Sequence, residues 1–533
     1  MADMTIVNAA IYTVDPKRPW AEAVSVRGGR IAALGTTAEI RRLAGPETEV
    51  LDLKGAFVLP GFIDSHVHFI NGGLSLLGVQ LRDAGTRAEF TARISAKARE
   101  LPKGEWILNG DWDHQSFDPV ELPRKEWIDA ATPDHPVCVN RLDGHMVLCN
   151  SLALRLGGVV RATIAPSGGE IVRDAATGDP TGILKDAAMD LVFRRVPGAT
   201  PAQARRAAEA AQSYSAARGV TSVHDVSGEA GIDVYRDLQR EGRLTTRIYY
   251  FVPITTVDDV LRRGLRNGGG DETLRFAGVK GFADGSLGSA TAYFFEPYAD
   301  EPDNTGLLSG EMFPEGIMEM RILAADRGGL QAAIHAIGDR ANAVVLDIFE
   351  KTAARTRRPD RRFRIEHAQH VRTSDFVRFA RLGIVASAQP YHAVDDGRWA
   401  EKKIGPRRAL TTYPFKSFLD RGVRLAFGSD WPVAPMDPIL GISAAVTRRT
   451  LDEKNPGGWV PEQRIPLEAA IRAYTADAAF AEFAETTKGA VKPGFLADFA
   501  VLDRNLFEIP PERLRSARVL RTICAGNTVF EAR

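Results

Sequence analysis

Cysteine is scarce in this chain. Its 533 residues hold three, Cys138, Cys149 and Cys524, odd in number and scattered. That argues against a disulfide framework and against a cysteine-based zinc site. A metal must then be held by histidine, carboxylate or a modified side chain. Net charge is absent, because 68 Lys and Arg balance 68 Asp and Glu. Neither a nucleic-acid partner nor an acidic membrane surface is expected. No apolar run reaches the ~18 residues of a membrane-spanning helix. Residues 1–7 lack a basic stretch followed by a long apolar one, so no secretion signal is expected. These absences predict a cytoplasmic protein without membrane contact. Short internal repeats and low-complexity tracts are also missing.

What is present is a long chain with β-rich ends and an alternating middle. The length exceeds one ordinary core, so two or three domains are expected. Residues 4–58 read as short strands with a hairpin signal at Gly28-Gly29, and residues 497–531 read similarly. Each end is too small for its own core. The two are therefore expected to pair as one β-sandwich of residues 1–58 and 487–533. Eight apolar strand candidates lie between them, near 62–66, 221–224, 247–252, 278–282, 330–335, 363–367, 384–388 and 423–428. Helical patterns separate most of them, which predicts an α/β protein built on a (β/α)8 TIM-type barrel, residues 59–72 and 201–486. The step from His68 to Thr221 is too long for a plain βα unit. Residues 73–200 are expected to be an inserted subdomain, a lid over the mouth of the barrel.

Only 10 histidines occur, and five of them fall at predicted strand ends. His66 and His68 stand at i and i+2 on one strand, so both rings reach the same side. Strand two ends in His224-Asp225, strand four in Lys280, strand five in His335, strand six in His367, strand seven in Gln389 and strand eight in Asp430. Active groups of such barrels gather at the C-terminal strand ends. Histidines that merely filled a core would not track barrel order, so a metal site is the expectation.

The stretches that carry these groups resemble the amidohydrolase superfamily, specifically its YtcJ-like branch, amidohydrolase family 3. They are Pro60-Gly61-Phe62-Ile63-Asp64-Ser65-His66-Val67-His68, Gly219 to Asp225, Lys280 to Ser289, His335 to Arg340, Ile365-Glu366-His367, Phe427 to Pro432 and Lys492 to Phe499. The resemblance implies metal-dependent hydrolysis of a C–N bond, usually an amide, in a small molecule. It also implies two divalent ions, zinc being the first expectation from imidazole and oxygen donors. His66 and His68 would hold one ion, and His335 and His367 the other. Lys280 would bridge them as an N-carboxylated anion, or else pair with Asp284 as an ordinary lysine. Asp430 would touch the first ion and serve as general base and acid, or else be a turn residue before Trp431-Pro432.

His224 would contact the substrate carbonyl or else support the site from behind. Within Arg141-Leu142-Asp143-Gly144-His145, both Arg141 and His145 would bind substrate, with loop capping as the alternative for His145. Trp112, Phe117, Tyr298 and Trp431 suggest an aromatic pocket, though ordinary packing explains them equally well. His114 and His135 read as surface or turn residues, His370 as support and His392 as pocket lining. Residues 284–289 are glycine-rich but lack the pattern of a phosphate loop. A one-metal deaminase or esterase and a non-catalytic barrel stay open, and a homo-oligomer is compatible with everything above.

Overall fold

The computed structural model describes residues 2–532. Eight short apolar segments become parallel neighbours in one sheet, in chain order. They are β1 (Phe62–Val67), β2 (Val220–Asp225), β3 (Arg247–Pro253), β4 (Leu274–Phe282), β5 (Gln331–Ala336), β6 (Arg364–His367), β7 (Val385–Ala388) and β8 (Leu425–Phe427). Nearly every residue in them is buried, as expected for parallel strands covered by crossover helices. The helix Pro201–Ala216, which leads into β2, begins with a reciprocal cap between Thr200 and Gln203 and a proline in its first turn.

The sheet nearly closes on itself. Asp430 N donates to His66 O at 2.7 Å, and His68 N donates to Trp431 O at 2.8 Å. Val67 and Trp431 form the parallel bridge there. The strand-end residues of β1 and the loop after β8 are thus stitched together at the mouth. Gly428 makes this approach possible: a Cβ on it would meet His66 N at 2.5 Å and Asp64 Oδ1 at 2.9 Å.

Two further sheets use the terminal segments. One has four strands, including Met4–Val7 and Ala23–Arg27. The other has six and interleaves both ends, with Phe499–Leu502 antiparallel to Phe57–Pro60. Ile6, Val24, Ile31, Val58, Phe499 and Ile523 share one apolar cluster between the sheets. Phe57–Pro60 runs straight into β1, so the terminal sheets anchor the strand that carries His66. Arg247 at the start of β3 pairs with Asp498 at 2.7 Å, tying the same junction from the barrel side.

The segment between β1 and β2 carries its own five-stranded sheet. Phe90, Trp112, Phe117, Trp127 and Ile183 pack on one side of it. Trp112 and Phe117 are therefore core residues of the insert, not pocket walls. The Trp112 indole N–H donates to Val139 O at 2.9 Å, the partner a buried indole requires. Among the described residues no helix is long and apolar enough to cross a membrane.

Gly428→Ala should destabilise the fold by roughly 1–3 kcal/mol through overpacking. Calorimetric unfolding will check this, and an unchanged melting temperature would show that the junction tolerates a methyl group.

Candidate metal centre

β1 delivers His66 at its inner face, and His68 follows just past the strand end. The loop after β8 brings Asp430 to them, its Oδ1 lying 3.3 Å from His66 Nε2 and 3.4 Å from His68 Nε2. His66, His68 and Asp430 offer donor atoms that all lie within 4.8 Å of one another. His367 from β6 and His392 form a second such group with the same Asp430. His66 Nε2, His392 Nε2, Asp430 Oδ1 and Lys280 Nζ are buried and lack a hydrogen-bond partner among the described residues. Leaving such atoms unsatisfied costs about 1–3 kcal/mol each. Imidazole and carboxylate donors in this density fit a divalent transition metal.

The residues behind the donors set their orientation. His66 Nδ1 donates to Glu366 Oε2, so its Nε2 lone pair faces the cavity. Arg364 grips Glu366 with Nε at 2.7 Å and Nη2 at 3.1 Å. Burial opposes ionisation of Glu366, but Arg364 and His66 hold its carboxyl well below the usual range. His367 Nδ1 donates to Gln389 Oε1 at 2.8 Å, which frees its Nε2 in the same way. Asp64 accepts from Ser429 N at 2.9 Å and bridges β1 to the Asp430 loop. Burial pushes its carboxyl up to about 7. His367 and Asp430 have φ of 71° and 59°. Backbone in this region costs about 1–3 kcal/mol per residue and clusters at functional sites.

A cavity of about 780 Å3 opens above these groups. His68, Lys280, His335, His367, His392 and Asp430 line its floor, and Leu108, Arg141, His145, Met189 and Phe193 of the insert line its upper wall. Lys280 Nζ points over the Phe282 ring at 4.5 Å. It does not pair with Asp284, whose carboxylate accepts from Ile337 N, Gly338 N and Tyr293 N at 2.8–2.9 Å. His335 sits beside His367, ring centres 4.5 Å apart, with Nε2 donating to Gly285 O at 3.0 Å. The second donor group is thus completed by His392, a residue read from the sequence only as pocket lining.

Arg141 reaches the wall but is fully engaged. It pairs with Asp113 and Asp143 at 2.8 Å each, and its Nε faces His114 Nδ1 at 3.3 Å. Its close contact with the loop after β4 needs Gly288, where a Cβ would meet Arg141 Nη1 at 2.7 Å. His145 Nδ1 lies 2.7 Å from Asp186 Oδ1. Burial works against the charged ring, yet Asp186 lifts it to about 9.

Three expectations need correction. His224 does not line the cavity. Its ring lies below the floor, where Nδ1 accepts from Arg364 Nη1 at 2.8 Å and Nε2 faces Glu482 Oε1 at 3.4 Å. It lies inside β2, paired in register with Tyr249, with both ring nitrogens turned to Arg364 and Glu482. Trp431 stacks on Tyr214 at 4.9 Å, outside the cavity, because Gly72 leaves room for its ring. Trp112 is buried in the insert, as described above. His114 and His135 lie in turns, the second of the two places read for them, with their side chains buried, and His135 Nδ1 donates to Glu105 O at 3.0 Å. His370 Nδ1 meets Thr412 Oγ1 at 2.8 Å, a supporting contact. Glu366, Arg364 and Asp64 are the residues behind this group that strand-end logic overlooks. Their signal is charge on one face of strands that are otherwise apolar.

The profile of the amidohydrolase family matches residues 49–530. This chain belongs to the amidohydrolase family. The chain is 41% identical over 543 residues to Protein LONG AFTER FAR-RED 3 of Arabidopsis thaliana, covering 99% of this chain and 92% of that one. It is 29% identical over 553 residues to N-substituted formamide deformylase of Arthrobacter pascens, covering 100% and 99%. In structure it resembles an uncharacterized metal-dependent hydrolase from Pyrococcus horikoshii OT3, with a TM-score of 0.77 and 29% identity over 95% of this chain and 99% of that one.

His66→Ala should lose metal from the protein and abolish turnover, while Glu366→Gln should weaken metal affinity by ~10–100-fold. Elemental analysis with kinetics decides this. Full metal content and turnover in His66→Ala would reject the site.

Proposed function

We propose that this amidohydrolase uses a divalent-metal centre to hydrolyse an amide-like C–N bond of a small molecule. One observation carries the reading: donors of His66, His68, His367, His392 and Asp430 converge on the floor of a large cavity with buried polar atoms left unpartnered. The full-length likeness to an N-substituted formamide deformylase supports the amide class.

Two ions are the expected complement, zinc first by donor type. His66, His68 and Asp430 would hold one. His335, through the Nδ1 that its Gly285 contact leaves free, and His367 would hold the other, with His392 beside them and Lys280 contributing as its N-carboxylate. Burial keeps the Lys280 amine below its usual pKa, which favours the neutral form. That nitrogen bonds the carbon of carbon dioxide and releases one N–H proton, leaving a carbamate anion. Bound here, the ions supply Lewis acidity, acidifying water and polarising a carbonyl oxygen.

Asp430 is the proton carrier. Burial opposes its charge, but His66 and His68 hold the carboxyl well below its ordinary pKa, so it starts as an acceptor. As the water oxygen bonds the carbonyl carbon, Asp430 takes one water proton. As the C–N bond breaks, that proton passes to the leaving nitrogen. The products are a carboxylic acid and an amine. His224 takes no part in these steps. In this reading residues 73–200 act as a lid. The termini, 1–58 with 487–533, form a β-sandwich that braces the barrel of 59–72 and 201–486. A small-molecule amide is the partner, the cytoplasm the setting, and a homo-oligomer is compatible.

Chelation should abolish turnover of formamides and anilides, and zinc should restore it. Metal analysis should find two ions per chain, and gentle-ionisation mass spectrometry should show the mass of one added carbon dioxide, absent in Lys280→Ala. One ion without the added mass would overturn the two-metal form. Turnover of esters alone would overturn C–N hydrolysis.

A further inference from the structure

The outer wall of the cavity has a charge imbalance that bears on substrate choice. Two guanidiniums, Arg141 and Arg398, face four carboxylates. Arg141 is held by Asp113 and Asp143. Arg398 is held by Asp395 and also lies 3.7 Å from Asp113. The fourth carboxylate, Asp396, accepts from Gln369 Nε2 at 3.0 Å and from the Tyr413 hydroxyl at 2.5 Å, with no cation in contact. All four carboxylates line the cavity. Glu311 and Asp111 line it as well, and their partners are neutral: Phe282 N at 2.9 Å for Glu311, Ser75 and Asn140 for Asp111. Among the described residues Arg141 is the only arginine lining the cavity, and all three of its guanidinium nitrogens already have partners.

A substrate carboxylate entering this wall would lose its hydration, find no free guanidinium and meet carboxyl groups that outnumber the guanidiniums. Like charges set against each other in a partly desolvated site are strongly disfavoured. Leu108, Leu142, Met189 and Phe193 offer an apolar surface in the same wall. We infer that the amidohydrolase selects uncharged or cationic amides with an apolar N-substituent and rejects carboxylate-bearing amides such as N-acyl amino acids. This rests on the amide reading above and deepens it.

The test compares N-benzylformamide with its para-carboxy and para-aminomethyl analogues on the zinc-loaded enzyme. The carboxy compound should have a kcat/KM at least ~100-fold below the neutral one, and added salt should narrow the gap. Asp396→Asn should narrow it further, by ~10-fold, with the neutral substrate changed much less. Equal rates for neutral and carboxy compounds, or preference for the carboxylate, would overturn the inference. If none of the three is hydrolysed, the amide reading falls, but their calorimetric Kd values still decide the inference. Carboxylate binding at least ~10-fold weaker than neutral binding supports it, and equal or tighter carboxylate binding overturns it.

Discussion

Closure of the barrel between β8 and β1 is the constraint on which the site depends. Two backbone hydrogen bonds hold the exit of β8 against the end of β1, and both involve residues of the donor group or their neighbours. Asp64 reinforces the junction from within by accepting from Ser429 N. Residues distant in sequence therefore share one small volume. The parallel register of β4 to β6 then brings Lys280, His335 and His367 to the same rim. The left-handed backbone at His367 and Asp430 persists because this framework over-determines it.

Beneath the donors a chain of paired charges fills the barrel. It runs from His66 through Glu366, Arg364 and His224 to Glu482 and Lys488, and Lys488 Nζ reaches Ser222 Oγ at 2.6 Å. Buried ions survive only when paired and hydrogen-bonded. Here each carboxylate lies between positively charged or hydrogen-bonding partners. The chain fixes which His66 nitrogen carries the proton, and it connects the floor of the site to the segment that leads into the terminal sheets. It also explains why His224, a strand-end histidine, serves the interior and not the mouth.

Much of this is legible in the residues alone. The eight strands are short apolar runs separated by helical spacing, and their sequential order follows from that alternation. His66, His68, His367 and Asp430 obey the strand-end rule and come together in the donor groups. His392 escapes it because it lies in the first turn of helix Pro390–Asp396, and the fold alone stacks its ring over His367 at 6.4 Å. His224 fails the rule because Arg364 and Glu482 take up both of its ring nitrogens beneath the floor. Trp112 and Trp431 mislead because an indole ring looks the same in a core and in a pocket. Glu366 and Arg364 stand two apart in a buried strand, and such charge alternation deserves as much weight as histidine spacing.

The most direct measurement is anomalous diffraction at the zinc edge from crystals of the zinc-loaded protein. Convergence of the donors predicts a peak touching His66 Nε2, His68 and Asp430, with a second beside His367 and Lys280. Anomalous density elsewhere, or none between His66 and Asp430 at full zinc loading, would contradict the proposed centre.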